Sequence, residues 1–536
     1  MKITLLDTTL RDGTQGEAVS FTVDDKLAIA QKLDDLGIDY IEGGWPGSNR
    51  RDKEFFARAG DLKLKHARLT AFGSTRFAKN RIDRDLNVRA LLEAGTPAIA
   101  IFGKTWDLHT RRVLGISEEE NLKLISETVR YLKDHGKEVI FDAEHFFDGY
   151  YSNQAFALRA LEAAQQAGAD VLCLCDTNGG ATTGRVAEAV AEVRRRFGGV
   201  LGIHTHNDAD LAVANTLAAV EQGAAHVQGT INGYGERCGN ANLCSVIPNL
   251  ELKLGHTTIG PEKLPTLAAV ARFVAELANL PVRGDQPYVG RSAFAHKGGV
   301  HVSAVLKEAA TYEHVPPAAV GNRQRVLLSD LSGRANILYK LKQHGIADRL
   351  SEEARRELLE RIKHLEFSGY ELEAAEGTFE LLVRQTLHPG LHFFEVVGFE
   401  VSTKVDGNTP PRSTATVTVE TQHGVHSATA SGHGPVNALD LCLRRCLAPL
   451  YPSITDVRLT DYKVRVLDSK MGSAAKVRVL IEWTDHRRSW STVGVSDNII
   501  EASWRAMVDA IRLELMRLME KDETVEKAVE DYCWGV

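Results

Sequence analysis

Over about its first 250 residues the chain alternates a short apolar run with an amphipathic helical stretch eight times. The apolar runs fall at 3–7, 40–43, 69–72, 98–102, 138–142, 170–175, 201–204 and 226–231. The first helical stretch opens on Thr22 with Asp25 three residues on, a capping box, and turns Leu27, Ala30, Leu33 and Leu36 to one face before stopping at Gly37. Ala94-Gly95, Ala167-Gly168 and Gln222-Gly223 punctuate later helices just ahead of a strand. Strands joined by helices run parallel, because a parallel pair needs a long crossover. Eight such units predict an α/β fold, a (β/α)8 TIM barrel; an open doubly wound sheet is the structural alternative.

The barrel accounts for only half of the 536 residues, so further domains are expected. The limits read from the pattern are 1–275 for the barrel, 276–392 for a mainly helical linker region and 393–536 for a C-terminal α+β domain. The charged stretch 351–365 reads as a helix with a solvated face. In the last segment, alternating strands at 414–420 and 424–430 precede a helix at 435–447, and strands at 476–482 and 489–495 precede a helix at 498–518. Two β-β-α units predict a pseudo-two-fold domain with either a small-molecule pocket between the repeats or a dimerisation role. A net charge of −7 argues against nucleic acid as a partner. No apolar run approaches the roughly 20 residues of a membrane span, and Met1 to Asp7 reads as a strand rather than a signal peptide. Seven scattered cysteines without framework spacing suit reduced thiols and a cytoplasmic setting.

In a TIM barrel the chemistry gathers at the carboxyl ends of the strands. Here those ends are polar: Arg11 and Asp12, Glu42, Ser74 and Thr75, Lys104, Glu144 and His145, Asp176 and Thr177, His204 and His206, then Glu236, Arg237 and Asn240. His204 and His206 are two apart on one strand and share a face, as two ligands to one ion require. Asp12 is the candidate third ligand. An Asp/His/His set with open positions favours Zn²⁺ or Mn²⁺, with Mg²⁺ the harder alternative. Such an ion suits a bidentate ligand such as a 2-keto acid, with Arg11 placed to hold the ketone oxygen and Glu144 as acid/base or orienting group. Taken singly, each has a bland explanation: Asp12 a loop cap, Glu144 a salt-bridge partner, Asn240 a turn former.

Several motifs resemble one family, the 2-isopropylmalate, homocitrate and citramalate synthases. Asp7-Thr8-Thr9-Leu10-Arg11-Asp12-Gly13-Thr14-Gln15 with Lys26 is similar to its first signature, and Ile203-His204-Thr205-His206-Asn207-Asp208 to its second. Gly233-Tyr234-Gly235-Glu236-Arg237-Cys238-Gly239-Asn240-Ala241 resembles its loop after strand eight. His296 to Val302, with Thr311-Tyr312-Glu313, resembles its linker, and Trp490 to Ala502 its regulatory domain. The resemblance implies condensation of acetyl-CoA with a 2-keto acid, then thioester hydrolysis. It assigns Asp12, His204 and His206 to a divalent metal, with Asn240 completing or adjoining the site. Arg11 would stabilise the keto oxygen, Thr177 would bind the substrate carboxylate, and Glu144 would work with His301 and Tyr312. It implies a homodimer whose linkers reach into the partner's active site, and an amino-acid effector at the C-terminal domain.

Glu42-Gly43-Gly44-Trp45-Pro46-Gly47-Ser48-Asn49 and Phe367 to Glu376 resemble the citramalate branch. That branch implies pyruvate as keto acid, (R)-citramalate as product and isoleucine as effector. The alternatives are a 2-isopropylmalate synthase using 2-ketoisovalerate, an acyl-CoA lyase on the same metal barrel, and an amino-acid-responsive protein on an inactivated barrel. Two residues depart from expectation. Asp210 stands where the family usually has glycine, and is expected to cap the following helix. Asp142 faces the same way as Glu144, placing a carboxyl where an apolar pocket wall is expected.

Overall fold

Eight parallel strands close on themselves in the computed structural model, which describes residues 1–60, 62–327, 349–405, 407, 410–485 and 488–533. They are β1 (Thr4–Asp7), β2 (Tyr40–Gly44), β3 (Arg68–Ser74), β4 (Ala98–Lys104), β5 (Glu138–Glu144), β6 (Val171–Asp176), β7 (Val200–Thr205) and β8 (His226–Gly229). Strand β1 pairs with β2, Leu6 opposite Tyr40, and also with β8, Thr4 opposite His226. An open sheet would leave two strands with a bare edge, so this double pairing settles the choice in favour of the barrel.

The alternation along each strand separates two cores. Leu6, Tyr40, Phe72, Ala98, Ala100, Ile140, Val171, Cys173 and Cys175 fill the barrel interior. Residues between them, such as Leu5, Ile41, Ile99, Phe141 and Leu174, face outward against the helices. The helix Val23–Leu36 has the expected capping box and a left-handed Gly37 at its end (φ 95°). Strands β3, β4 and β5 run two residues further than the apolar pattern indicates, so that Lys104 is paired with Glu144 in the ladder. Polar side chains hide a strand end from a hydrophobicity count, whereas the backbone pairing that defines it is indifferent to them.

The chain forms two compact units, Met1–Phe294 with Glu313–Gln324, and Ala295–Tyr312 with Arg325–Val536. In the second, β9 (Ala295–His296) pairs with β10 (Arg325–Val326). The helix Glu352–Phe367 buries Leu358, Leu359 and Ile362 in one cluster with Phe379 and Val383 of the helix Glu376–Leu387, so only its other face is solvated. The part of the expected helical segment at 328–348 lies outside the described residues.

Two sheet-and-helix units follow. Strands β11 (Glu395–Lys404), β12 (Arg412–Thr421) and β13 (Gly424–Gly432) carry the helix Pro435–Leu447; β14 (Arg458–Val466), β15 (Val477–Thr484) and β16 (Ser489–Ser496) carry the helix Ile499–Cys533. Each unit is therefore β-β-β-α, one strand more than the sequence pattern indicates. The added strands, β11 and β14, are sheet edges with mostly exposed, charge-rich sequences. Charged edges guard against further pairing, and a bulge in each strand interrupts the apolar alternation that betrays one. Cys173, Cys175, Cys238, Cys244, Cys442 and Cys446 are free thiols. Among the described residues no helix is long and apolar enough to cross a membrane.

Candidate active site

The turn after β1 places Asp12 at the start of a short 3-10 turn, Gly13–Gln15, yet its side chain caps nothing there. The carboxylate faces the end of β7 instead: Oδ2 lies 3.3 Å from His204 Nε2 and 3.8 Å from His206 Nε2. The two ring nitrogens are themselves 3.3 Å apart. All three side chains are buried, and their ligating atoms lie within 4.8 Å of one another. Burial by itself raises a carboxyl pKa, but the groups around it, the Arg11 charge first among them, outweigh it and hold Asp12 far below the carboxylate range. Burial pushes His206 down to about 4, with the neighbouring His204 adding to it, so this ring is neutral and its lone pair is available.

Asn240 joins them from the loop after β8, through a bridge to His206. Its Oδ1 is buried without a hydrogen-bond partner, as are Asp12 Oδ2 and His206 Nδ1. A buried acceptor left without a hydrogen, as Asp12 Oδ2 is beside the two Nε2 atoms, is what an oxygen- and nitrogen-liganded cation relieves. The donor set fits a divalent ion.

Arg11 forms the adjoining wall. Its Nε donates to Glu42 Oε2 at 2.7 Å, its Nη1 lies 3.4 Å from Asp12 Oδ1, and its guanidinium lies 3.6 Å from the Phe72 ring centroid. Glu42 is fully buried and burial pushes it up to about 7. Glu42 is a residue that strand-end polarity alone had marked, without a role.

A cleft of ≈ 230 Å³ opens over these groups, lined also by Gln15, Trp45, Phe102, Asp142, Glu144, Cys175, Thr177, Glu236 and Arg237. Trp45 meets Phe72 and Phe102 edge-on, ring centroids 5.7 Å away in each case. Its indole N–H donates to Asn87 Oδ1 at 2.7 Å and its backbone N–H to Asp52 Oδ2 at 2.9 Å. Buried Lys26 pairs with Asp52 and donates to Gly43 O. Lys26 thus anchors the Trp45 loop from below.

Glu144 pairs with Lys104 across the β4–β5 ladder. His145, next along, adopts a left-handed backbone (φ 56°), which a non-glycine residue takes up only at a cost. In that conformation its N–H donates to Thr177 Oγ1 at 2.9 Å, and its ring meets Asp148 Oδ2 at 3.0 Å. A hydroxyl that accepts one bond still has its own hydrogen to give. Thr177 therefore has a donor to spare beside the cleft.

Three sequence expectations need comment. Asp210 does not cap the helix Ala212–Glu221; Asn207 Oδ1 accepts the Ala212 N–H instead. Asp210 occupies a positive-φ turn position (58°), which explains glycine there better than capping does. Asp142 faces the barrel interior and finds a polar partner, Gln228. His301 and Tyr312 lie in the second unit, where their rings stack at 4.3 Å. Gln228 was not singled out from sequence, although its alternation with His226 inside β8 marks a polar pair facing the barrel interior.

Comparison with known proteins gives three adjoining family matches: HMGL-like over residues 2–274, homocitrate synthase post-HMGL domain-like over 288–369, and LeuA allosteric (dimerisation) domain over 373–514. The chain is 52% identical to an (R)-citramalate synthase of Aquifex aeolicus, over 96% of this chain and 98% of that one. It is 51% identical to an (R)-citramalate synthase of Geobacter sulfurreducens, over 98% and 99%. A probable 2-isopropylmalate synthase of Methanopyrus kandleri is 34% identical over 95% and 98%.

Proposed function

The chain belongs to the (R)-citramalate synthase family, and on that premise we propose how its residues condense acetyl-CoA with pyruvate and release citramalate and CoA. Asp12, His204 and His206 hold a divalent metal, with the Asn240 carbonyl oxygen beside them. Mn²⁺ and Zn²⁺ suit this mixed set best. When bound, the ion supplies Lewis-acid polarisation of the keto group.

The remaining work falls to the chain. The Arg11 guanidinium, fixed by Glu42 and Phe72, neutralises charge that grows on the keto oxygen. The spare Thr177 hydroxyl hydrogen binds the pyruvate carboxylate. Glu144, placed by Lys104, takes a proton from the acetyl methyl group, together with His301 and Tyr312 supplied by the linker of a partner subunit. The methylene carbon so formed bonds to the keto carbon, and the keto oxygen becomes the new hydroxyl. Water then cleaves the thioester, giving the second carboxylate of citramalate and free CoA. This use of residues goes with a division of the chain at 1–275, 276–392 and 393–536 into barrel, linker and regulatory segments. The LeuA-type segment accounts for a dimer and for a small-molecule effector, for which we infer isoleucine, the end product that citramalate feeds.

The observation that carries the choice of keto acid is the aromatic corner of Trp45, Phe72 and Phe102 beside the Asp12–His204–His206 cluster, an apolar wall against which the methyl group of pyruvate packs in this reading. Release of CoA from acetyl-CoA with a divalent metal is expected to be fastest with pyruvate. Faster release with 2-ketoisovalerate would transfer the chain to the isopropylmalate branch, and inhibition by leucine but not isoleucine would overturn the effector.

A further inference from the structure

The carboxyl group of Asp142 gains a use when it is followed toward the metal cluster. Gln228 lies inside β8, fully buried, with two partners. Its Nε2 donates to Asp142 Oδ1 at 2.8 Å, and its Oε1 meets His204 Nδ1 at 3.0 Å. A side-chain amide has one donating and one accepting end of nearly equal size, so either could face the imidazole unless something else chooses. Asp142 chooses. The Asp142 oxygen that faces Gln228 accepts when the carboxyl is ionised and equally when its proton sits on the other oxygen. The NH₂ end must therefore turn to Asp142, and the carbonyl end to His204. A ring nitrogen facing a carbonyl oxygen has to bear the hydrogen, so the proton belongs on Nδ1 and the lone pair on Nε2. Nε2 is the nitrogen aimed at Asp12 and His206.

We propose that Asp142, acting through Gln228, is a positioning residue that fixes the tautomer and ring orientation of His204 and so presents Nε2 as the ligating nitrogen. The idea rests on Asp12, His204 and His206 being the metal ligands. Partners of this kind, one step behind a ligating histidine, contribute about 10–100-fold to metal affinity. His206 has no counterpart, since its Nδ1 is buried without a hydrogen-bond partner. The chain therefore makes the two histidines unequal, with His204 pre-set and His206 free to adjust.

A role in packing alone would be met by any side chain of similar size; a role in polarity would not. The test measures Mn²⁺ binding to the metal-free full-length protein by calorimetry, and the ring ¹⁵N shifts of His204, assigned by their loss in His204→Ala. Gln228→Leu is expected to weaken Mn²⁺ binding about 10–100-fold. Asp142→Val leaves His204 untouched, yet is expected to weaken binding and give a mixture of tautomers. Gln228→Glu keeps an acceptor at Nδ1 and is expected to retain the wild-type affinity and tautomer. Wild-type affinity in both Gln228→Leu and Asp142→Val would overturn the proposal, as would equal losses in Gln228→Leu and Gln228→Glu. A wild-type His204 protonated at Nε2 would overturn it without recourse to any variant. If His204→Ala binds Mn²⁺ as tightly as wild type, the ligand assignment fails instead, and the ring shifts still decide the hydrogen-bond chain.

Discussion

The barrel holds two clusters of three ligating groups, each with its atoms within 4.8 Å, and only one has the character of a metal site. Asp12, His204 and His206 stand at the strand ends; Asp142, Cys173 and Cys175 stand among β5 and β6. In the first, Arg11 and the imidazoles keep the carboxylate charged, and lone pairs are left over. In the second, burial raises Asp142, pushes Cys175 up to about 11 and lifts Cys173 well above its ordinary value, so the thiols keep their protons. Asp142 is already committed to Gln228, and the Cys175 thiol points to Cys173 O at 3.7 Å. Each cluster sets one aspartate beside two other side chains able to hold a metal. Protonation and unsatisfied acceptors make one a place for a cation and the other a hydrogen-bonded layer beneath it.

Substitutions should break this likeness in a definite order. His204→Ala or Asp12→Ala is expected to lower kcat/KM for pyruvate by at least about 10³-fold, the several kcal/mol of a lost Lewis acid, while Cys173→Ala stays within a few-fold of wild type. Comparable losses in the two clusters, read as CoA release, would erase the distinction. Arg11→Lys keeps the charge but loses the planar hold on Glu42 and the stacking on Phe72; a fall in kcat of about 10²-fold is expected. A rise in KM alone, with kcat unchanged, would remove Arg11 from the reacting oxygen.

Trp45→Ala opens the aromatic corner without touching either cluster. It should shift the ratio of kcat/KM for pyruvate over 2-ketoisovalerate toward the larger acid by about 10–200-fold, the worth of one or two methyl groups in an apolar site. An unchanged ratio would place the substrate's side chain elsewhere.

The smallest effect concerns pH. Burial holds Asp142 above its ordinary value of 3.8, so the folded chain keeps this proton more tightly than the unfolded one. The stability this proton brings is complete below pH 3.8 and is lost as the pH rises through the raised value. The advantage of metal-free wild type over Asp142→Val in urea midpoint should therefore narrow as the pH rises. A widening gap would mean that Asp142 is held ionised, like Asp12.

The rim cluster was legible in the sequence because it is built on periodicity. Two histidines two apart on a strand face one way whatever surrounds them, and Asp12 lies in the turn that follows β1, the strand that pairs with β8 to close the barrel. The aromatic corner was less legible: Trp45 sat within a motif, but Phe72 and Phe102 are separated by a whole helix and meet only because β3 and β4 are neighbours. The edge strands β11 and β14 are hard to see in the sequence because a bulge breaks the alternation of each and several of their apolar residues stay exposed. Asp210 was read as a helix cap because its residue type favours caps, whereas the turn put it at positive φ and left capping to Asn207.

By itself, then, the sequence determined the eight-fold alternation, the polar strand ends and the trio of Asp12, His204 and His206, because these depend on local geometry that each segment carries with it. Only the tertiary structure decided which groups are charged and which nitrogen of His204 is free. Those depend on burial and on partners far along the chain, such as Gln228 and Asp142, and neither is written in the neighbourhood of the residue it governs.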